Sequence, residues 1–184
     1  MSKQAIIDFC HTHDACYLGK NWAVNNCASM HDVWLTARPD WLVWVATSPG
    51  VLPERDLRLF ACWCVRQVWH LLTDDRSKNA VIVAEKYARG EATAEELKAA
   101  EAEAAAAAAA LAEAKLTAVQ VAELSAASAA EWAAAAEWAA LAEWAACAAE
   151  AAACAQKVEQ AEAREAQALY LRERFNPFLK EAKK

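Results

Sequence analysis

The stretch EWAAAAEWAALAEWAACAAE, residues 131–150, sets Glu and then Trp every six residues in a bed of alanine. Each residue of an α-helix turns about 100°, so Trp132, Trp138 and Trp144 point to three different sides instead of forming a stripe. A helix with one buried face repeats its large apolar residues at three and four. A period of six therefore needs neighbours on several sides, or else leaves aromatic rings in water. Packing is the favoured reading, and any side left open makes these three tryptophans the candidate partner-binding surface, including for a second copy of the chain.

Outward from this repeat, helical propensity is continuous from about residue 94 to 175, where one straight helix would run roughly 120 Å. A lone rod of that length is disfavoured. Thr117 with Gln120 and Ser128 with Glu131 have the form of internal helix starts, so the sequence predicts an antiparallel hairpin folded back near 117–128. All Gly and all but one Pro precede residue 91. The chain divides accordingly into a Trp- and Cys-rich helical head, 1–92, and long Ala-rich helices, 93–184, packed on it as one compact unit. The fold class is all-α, in line with 58% hydrophobic residues, 3 Gly and 4 Pro in 184.

Within the head, Ser2 is the expected cap of a helix ending or interrupted near Gly19. Ser29 with Asp32 opens a second helix, Pro39 a third, and Pro49 lies beyond that helix's end. LPERDLRLFACWCVRQVWHLLTDD, residues 52–75, is the strongest core helix. Leu57, Ala61, Cys64, Val68, Leu71 and Leu72 share one side, and Leu59, Cys62, Trp63 and Trp69 the other. Burial all round is expected, with Phe60→Ala and Trp63→Ala equally costly. The next helix puts Ala80, Val83, Ala84 and Tyr87 on one face and ends at Gly90, a residue suited to the left-handed position. Thr93 with Glu96 then forms a capping box.

A net charge of −6 without a basic cluster argues against a nucleic-acid surface. Seven cysteines, an odd number, and a start MSKQAIIDFC lacking a signal-peptide pattern indicate free thiols and a cytoplasmic protein. No apolar run approaches the roughly 20 residues of a membrane span.

Chemistry is sparsely indicated. Cys10, His13, Cys16 and Cys27 are weak candidate metal ligands, since Cys16 is turned about 60° from the face of Cys10 and His13, and the paired spacing of structural zinc sites is missing. Buried thiols are the favoured reading. Cys62 and Cys64 point to opposite sides, and Cys147 and Cys154 share a helical face as small apolar residues. Arg66 and His70, one turn apart on the core helix, with Arg76 nearby, are candidate ligand-binding cations. A buried guanidinium needs an anion, either Asp56, Asp74, Asp75 or Glu85, or a ligand's phosphate or carboxylate. No motif calls for a cofactor, and no nucleophile–base arrangement, Gly-rich phosphate loop or paired-carboxylate motif indicates an enzyme.

The runs HDACYLGKNWA, DWLVWVAT and LRLFACWCVRQVWHLLTDDRSKNAVIVAEKYARGEATAEELKAA, followed by an alanine tract punctuated by Trp, resemble a helical immunity-protein family of bacterial and phage genomes. That family is related to the fifth immunity family of polymorphic toxin systems. The resemblance covers residues 9–100, and the ending LRERFNPF is similar to REIFGNPF endings of related alanine-rich proteins. It implies binding and neutralising a protein target, a toxin or a defence component, with no catalytic residues to carry over. The alternative reading is a module sequestering a small anionic molecule or nucleotide. Mimicry of DNA by Glu131, Glu137, Glu143 and Glu150 is a minor variant of the inhibitor reading.

Overall fold

The computed structural model describes residues 3–112, 118–135 and 160–179. Among them nine α-helices and no strand occur: α1 (Gln4–Thr12), α2 (Tyr17–Asn26), α3 (Met30–Thr36), α4 (Pro39–Thr47), α5 (Glu54–Gln67), α6 (Asp75–Arg89), α7 (Ala94–Ala112), α8 (Ala118–Ala135) and α9 (Gln160–Arg174), with a 3-10 turn at Trp69–Leu71. This is the expected all-α multi-helix fold. The chain forms two compact units, one of Met1–Leu52 with Glu165–Lys184, the other Pro53–Arg164. The sequence boundary at 92/93 falls inside the second unit, because α5 and α6 pack with the alanine-rich helices α7 and α8.

Helix α8 is the centre of the second unit, in contact with α5, α6, α7 and the 3-10 turn. Its buried alanines Ala126, Ala127, Ala129, Ala130, Ala133 and Ala134 cover one broad face, an arc of roughly 160°, while Ser125, Ser128 and Glu131 on the other side are half-buried. Small side chains on that face let the axes of several helices approach at once. On α7 the buried alanines Ala100, Ala104, Ala107 and Ala108 follow the ordinary three-and-four spacing of a single face.

The α7–α8 pair is antiparallel. Glu131, late in α8, feels the charge of Glu101, early in α7. Moreover, the step from Ala112 to Ala118 reaches roughly 20 Å at full extension, too short to bring packed helices of this length parallel. Helix α8 runs unbroken over Ala118–Ala135, so no fold-back falls at 118–128 of the expected 117–128 window. Ser128 and Glu131 have capping-box form but sit inside continuous helix, where the surrounding alanines favour propagation over a new start. Thr117 lies outside the described residues.

Burial first, and the Glu101 charge second, push the Glu131 carboxyl above the ordinary glutamate value of 4.5. The folded chain thus binds more protons than the unfolded one in the window just above that value. The stabilising contribution is present below about pH 4.5 and is lost as pH rises through the folded value. Glu131→Gln should therefore melt at a higher temperature than the parent near pH 7, with the gain disappearing near pH 4. Thermal melts at both pH values check this, and equal melting near neutrality would rule it out.

Local signals are met at several helix ends. Ser29 and Asp32 exchange both capping-box hydrogen bonds at the start of α3, Pro39 begins α4, and Thr93 with Glu96 does for α7 what Ser29 with Asp32 does for α3. Gly90 closes α6 at φ 77°. The inward face of α6 is rotated from the expected one: Ser77, Ala80, Val81, Ala84 and Ala88 are buried, while Val83 and Tyr87 are half-buried. At the other end of the helix Asp74, expected only as a candidate anion for a buried guanidinium, caps α6 and accepts from the Arg76 amide.

In the first unit, α1 packs with α2 and α3 with α4. The expected interruption at Gly19 is misplaced. The break falls at His13–Cys16, while α2 runs through Gly19, and Ser2 lies outside the described residues. Asp14 adopts φ 52°, and the Ala15 amide donates to the Cys10 carbonyl at 2.9 Å, the hydrogen bond of a Schellman turn closing α1. Gly19 serves close approach instead, since a Cβ there would lie 3.3 Å from Cys16 Sγ. The C-terminal segment is held by Trp34, whose Nε1 donates to the Phe175 carbonyl at 2.9 Å. In the opposite sense Arg172 donates to the Trp34 and Ala37 carbonyls, supplying a cation to the end of α3.

Candidate functional site

The Schellman turn between α1 and α2 shapes one side of a cleft in the first unit. Cys16 caps α2, its Sγ accepting from the Gly19 amide at 3.4 Å, and both residues line the cleft. Helix α4 contributes Trp41 and Trp44. Trp22 and Trp41 meet with ring centroids 5.3 Å apart, and Phe9 stands edge-on to Trp44 at 5.9 Å. The cavity measures about 370 Å³, a volume typical of small-ligand sites. Its inner wall is aliphatic, with Ile6 and Val45 buried, and Asp14 is exposed at its edge.

The charged side chains lining the cleft are acidic, and Arg38 and Lys20 act on Asp40 and on Cys10, respectively, from outside the lining. Among the described residues lining it, the ionisable carboxylates are Asp14 and Asp40, and none is Lys, Arg or His. Arg38 donates from Nε and a terminal nitrogen to both Asp40 oxygens and lies 4.7 Å from the Trp41 ring centroid. These hydrogen bonds hold the Asp40 carboxyl below the usual carboxylate range. Burial pushes the Cys10 thiol up, keeping it in the protonated form that is a poor nucleophile and a poor metal ligand.

The metal candidates do not converge. Cys10 and Cys16 line the cleft, His13 stacks against Phe9 at 4.4 Å, and Cys27 pairs with the Thr36 hydroxyl at 3.7 Å. Among the described residues no group of three or more His, Cys, Asp or Glu side chains is placed to hold a metal ion. Among the described residues Cys10, Cys16, Cys27, Cys62 and Cys64 form no disulfide. Burial raises Cys62 to about 12, making it inert, and Cys147 and Cys154 lie outside the described residues.

The three candidate cations of the second unit are likewise apart from one another in role. Arg66 makes a two-pronged pair with Glu85, both contacts 2.9 Å, and lies 4.0 Å over Trp69. Arg76 folds onto Asp74 at 2.7 Å. His70, expected on a buried helix, is exposed in the 3-10 turn, because α5 stops at Gln67. The buried cation is one the sequence reading passed over. Arg58 is 1% exposed, donates to the Ala134 carbonyl and to Glu54 at 2.7 Å, and lies 5.1 Å from the Tyr87 ring. Its spacing of four from Glu54 was the available signal.

Trp132 lies on α8 with its side chain outside the described set, and Trp138, Trp144, Glu137, Glu143 and Glu150 lie outside the described residues. Among the described residues no helix is long and apolar enough to cross a membrane. No family model, curated protein or solved structure matches the chain.

Proposed function

We propose that the chain is a non-catalytic protein-binding inhibitor, acting in the cytoplasm on a toxin or a defence component, and that its contact surface includes the rim of the first-unit cleft. The observation carrying this reading is the pair Tyr17 and Leu18, 79% and 69% exposed in the first turn of α2, flanked by the lining residues Cys16 and Gly19. Adjacent large apolar side chains left in water beside an aromatic cleft match the composition of interface anchors, where Tyr and Trp dominate binding energy. The alternative of a sequestered anion is less well supported, since Arg66 and Arg76 already have carboxylate partners and the cleft's own ionised groups are acidic.

Affinity capture from the host, with the partner identified by mass spectrometry and its Kd then measured, tests this reading. Tyr17→Ser with Leu18→Ser should weaken the partner by about thirtyfold or more, the scale of a lost anchor, while the melting temperature is retained. Undiminished affinity in the double variant would sink the assignment of this surface.

A further inference from the structure

We infer that the cleft between α1, α2 and α4 binds an apolar organic cation, its hydrocarbon body on the aliphatic and aromatic wall and its charged head at Asp14. Three observations converge on that chemistry, and they stand whether or not Tyr17 and Leu18 meet a protein partner.

The first is the electron-rich wall. Phe9, Trp22, Trp41 and Trp44 present aromatic rings to a space whose described charged lining residues are both carboxylates. Ring quadrupoles attract cations, and the exposed Asp14 carboxylate favours a cation over an anion at the cleft's edge.

The second is an internal precedent. The chain's own Arg38 combines a ring face, Trp41 at 4.7 Å, with a carboxylate, Asp40, in two hydrogen bonds. Asp14 offers the corresponding carboxylate toward α1 and α2, and among the described residues no ion pair takes it. A cation at Asp14 would repeat an arrangement the unit already holds.

The third is backbone conformation. Asp14 occupies a left-handed position, φ 52°, where a helix end ordinarily carries glycine. Aspartate tolerates that region better than most residues, yet at a cost glycine does not incur. The turn thereby sets a carboxylate at the cleft's edge.

Isothermal titration calorimetry of the full chain with n-hexylammonium, n-hexanol and n-hexanoate reads this directly. These probes share one apolar body and differ in head charge. Hexylammonium should bind about five- to tenfold more tightly than hexanol, the range expected of a cation–π contact with one carboxylate, and hexanoate should be weakest. Asp14→Asn preserves shape and Asp14→Gly relieves the backbone, so both variants should fold. In each the preference for ammonium over hexanol should fall to about twofold or less. Hexanol binding as tightly as hexylammonium, or an unchanged preference in both variants, would overturn the inference.

The source of the cation is settled by competition. Displacement of the captured partner by hexylammonium identifies a lysine or arginine side chain of that partner. Ammonium-selective binding without displacement identifies a free amine. If the Tyr17 and Leu18 double variant keeps its partner while Asp14→Asn loses ammonium selectivity, the protein-contact surface is misassigned and the cation site stands.

Discussion

Phe60→Ala is expected to destabilise the second unit by about 3 to 5 kcal/mol, whereas Trp63→Ala, despite removing the larger side chain, should cost only about 1 to 2. The difference rests on which side of α5 meets the core. Phe60 is 0% exposed, alongside buried Leu57, Ala61 and Cys64, whereas Trp63 is half-buried. Truncating Phe60 opens a cavity among helices whose alanine side chains are too short to refill it, and the loss is transfer plus cavity. Trp63 gives up contacts that water partly replaces. Urea titrations followed by circular dichroism, with hydrogen exchange on second-unit amides to locate the unfolding, measure both. Equal costs would restore the sequence expectation that the helix is surrounded, and a reversed order would mean that α5 turns its other face inward.

That contrast shows how far the fold is legible in the residues. Where a structural event depends on neighbours within one helical turn, local chemistry announces it: Ser29 and Asp32 bracket a helix start with reciprocal hydrogen bonds, and Gly90 supplies a positive φ. The six-residue period of residues 131–150 points to packing on several sides, but Trp138, Trp144 and the side chain of Trp132 lie outside the described residues, so that expectation is met by no described contact. Events set by residues far apart are not announced in this way. Gly19 has the stronger propensity to break a helix, but its small size is used for approach to Cys16 and Trp41, so the interruption moves to Asp14. Arg58 and Arg66 lie two turns apart on one helix. Which is buried depends on the Ala134 carbonyl at the end of α8 and on Glu85 of α6, neither visible from α5 alone.

The cleft is the least legible feature. Its aromatic rings come from three helices, α1, α2 and α4, and only Trp41 and Trp44, three apart on α4, share a face within one of them. In the sequence, candidate sites cluster where ionisable residues do, at Cys10 to Cys27 and at Arg66 to Arg76. The first of these regions does border the cleft, through Cys10 and Cys16, but as apolar wall and helix cap and not as a ligand set. Asp14, between His13 and Ala15, falls by sequence within a helix running to Gly19. Its left-handed backbone, which places the carboxylate at the edge of the cleft, follows from where α1 stops.

Trp34→Ala should have the corresponding effect on the first unit, about 3 to 5 kcal/mol, and should also release the C-terminal segment. Trp34 is 0% exposed, its ring meets Phe178 edge-on at 6.0 Å, and its Nε1 hydrogen bond to Phe175 ties α3 to residues 141 positions later. Alanine removes the ring, opens a cavity and leaves the Phe175 carbonyl without that donor, three losses at one site. Trp34→Phe separates them: most apolar area is kept, the donor is gone, and about 1 to 2 kcal/mol should be lost. Trypsin provides a local readout, because Arg172 donates to the Trp34 and Ala37 carbonyls and is sequestered only while α3 and α9 remain together. In the alanine variant cleavage after Arg172 and Arg174 should accelerate under conditions where α5 to α8 keep their hydrogen-exchange protection. Native-like melting of Trp34→Ala with unchanged cleavage would show that the C-terminal segment is anchored elsewhere, and the assignment of Glu165–Lys184 to the first unit would fall with it.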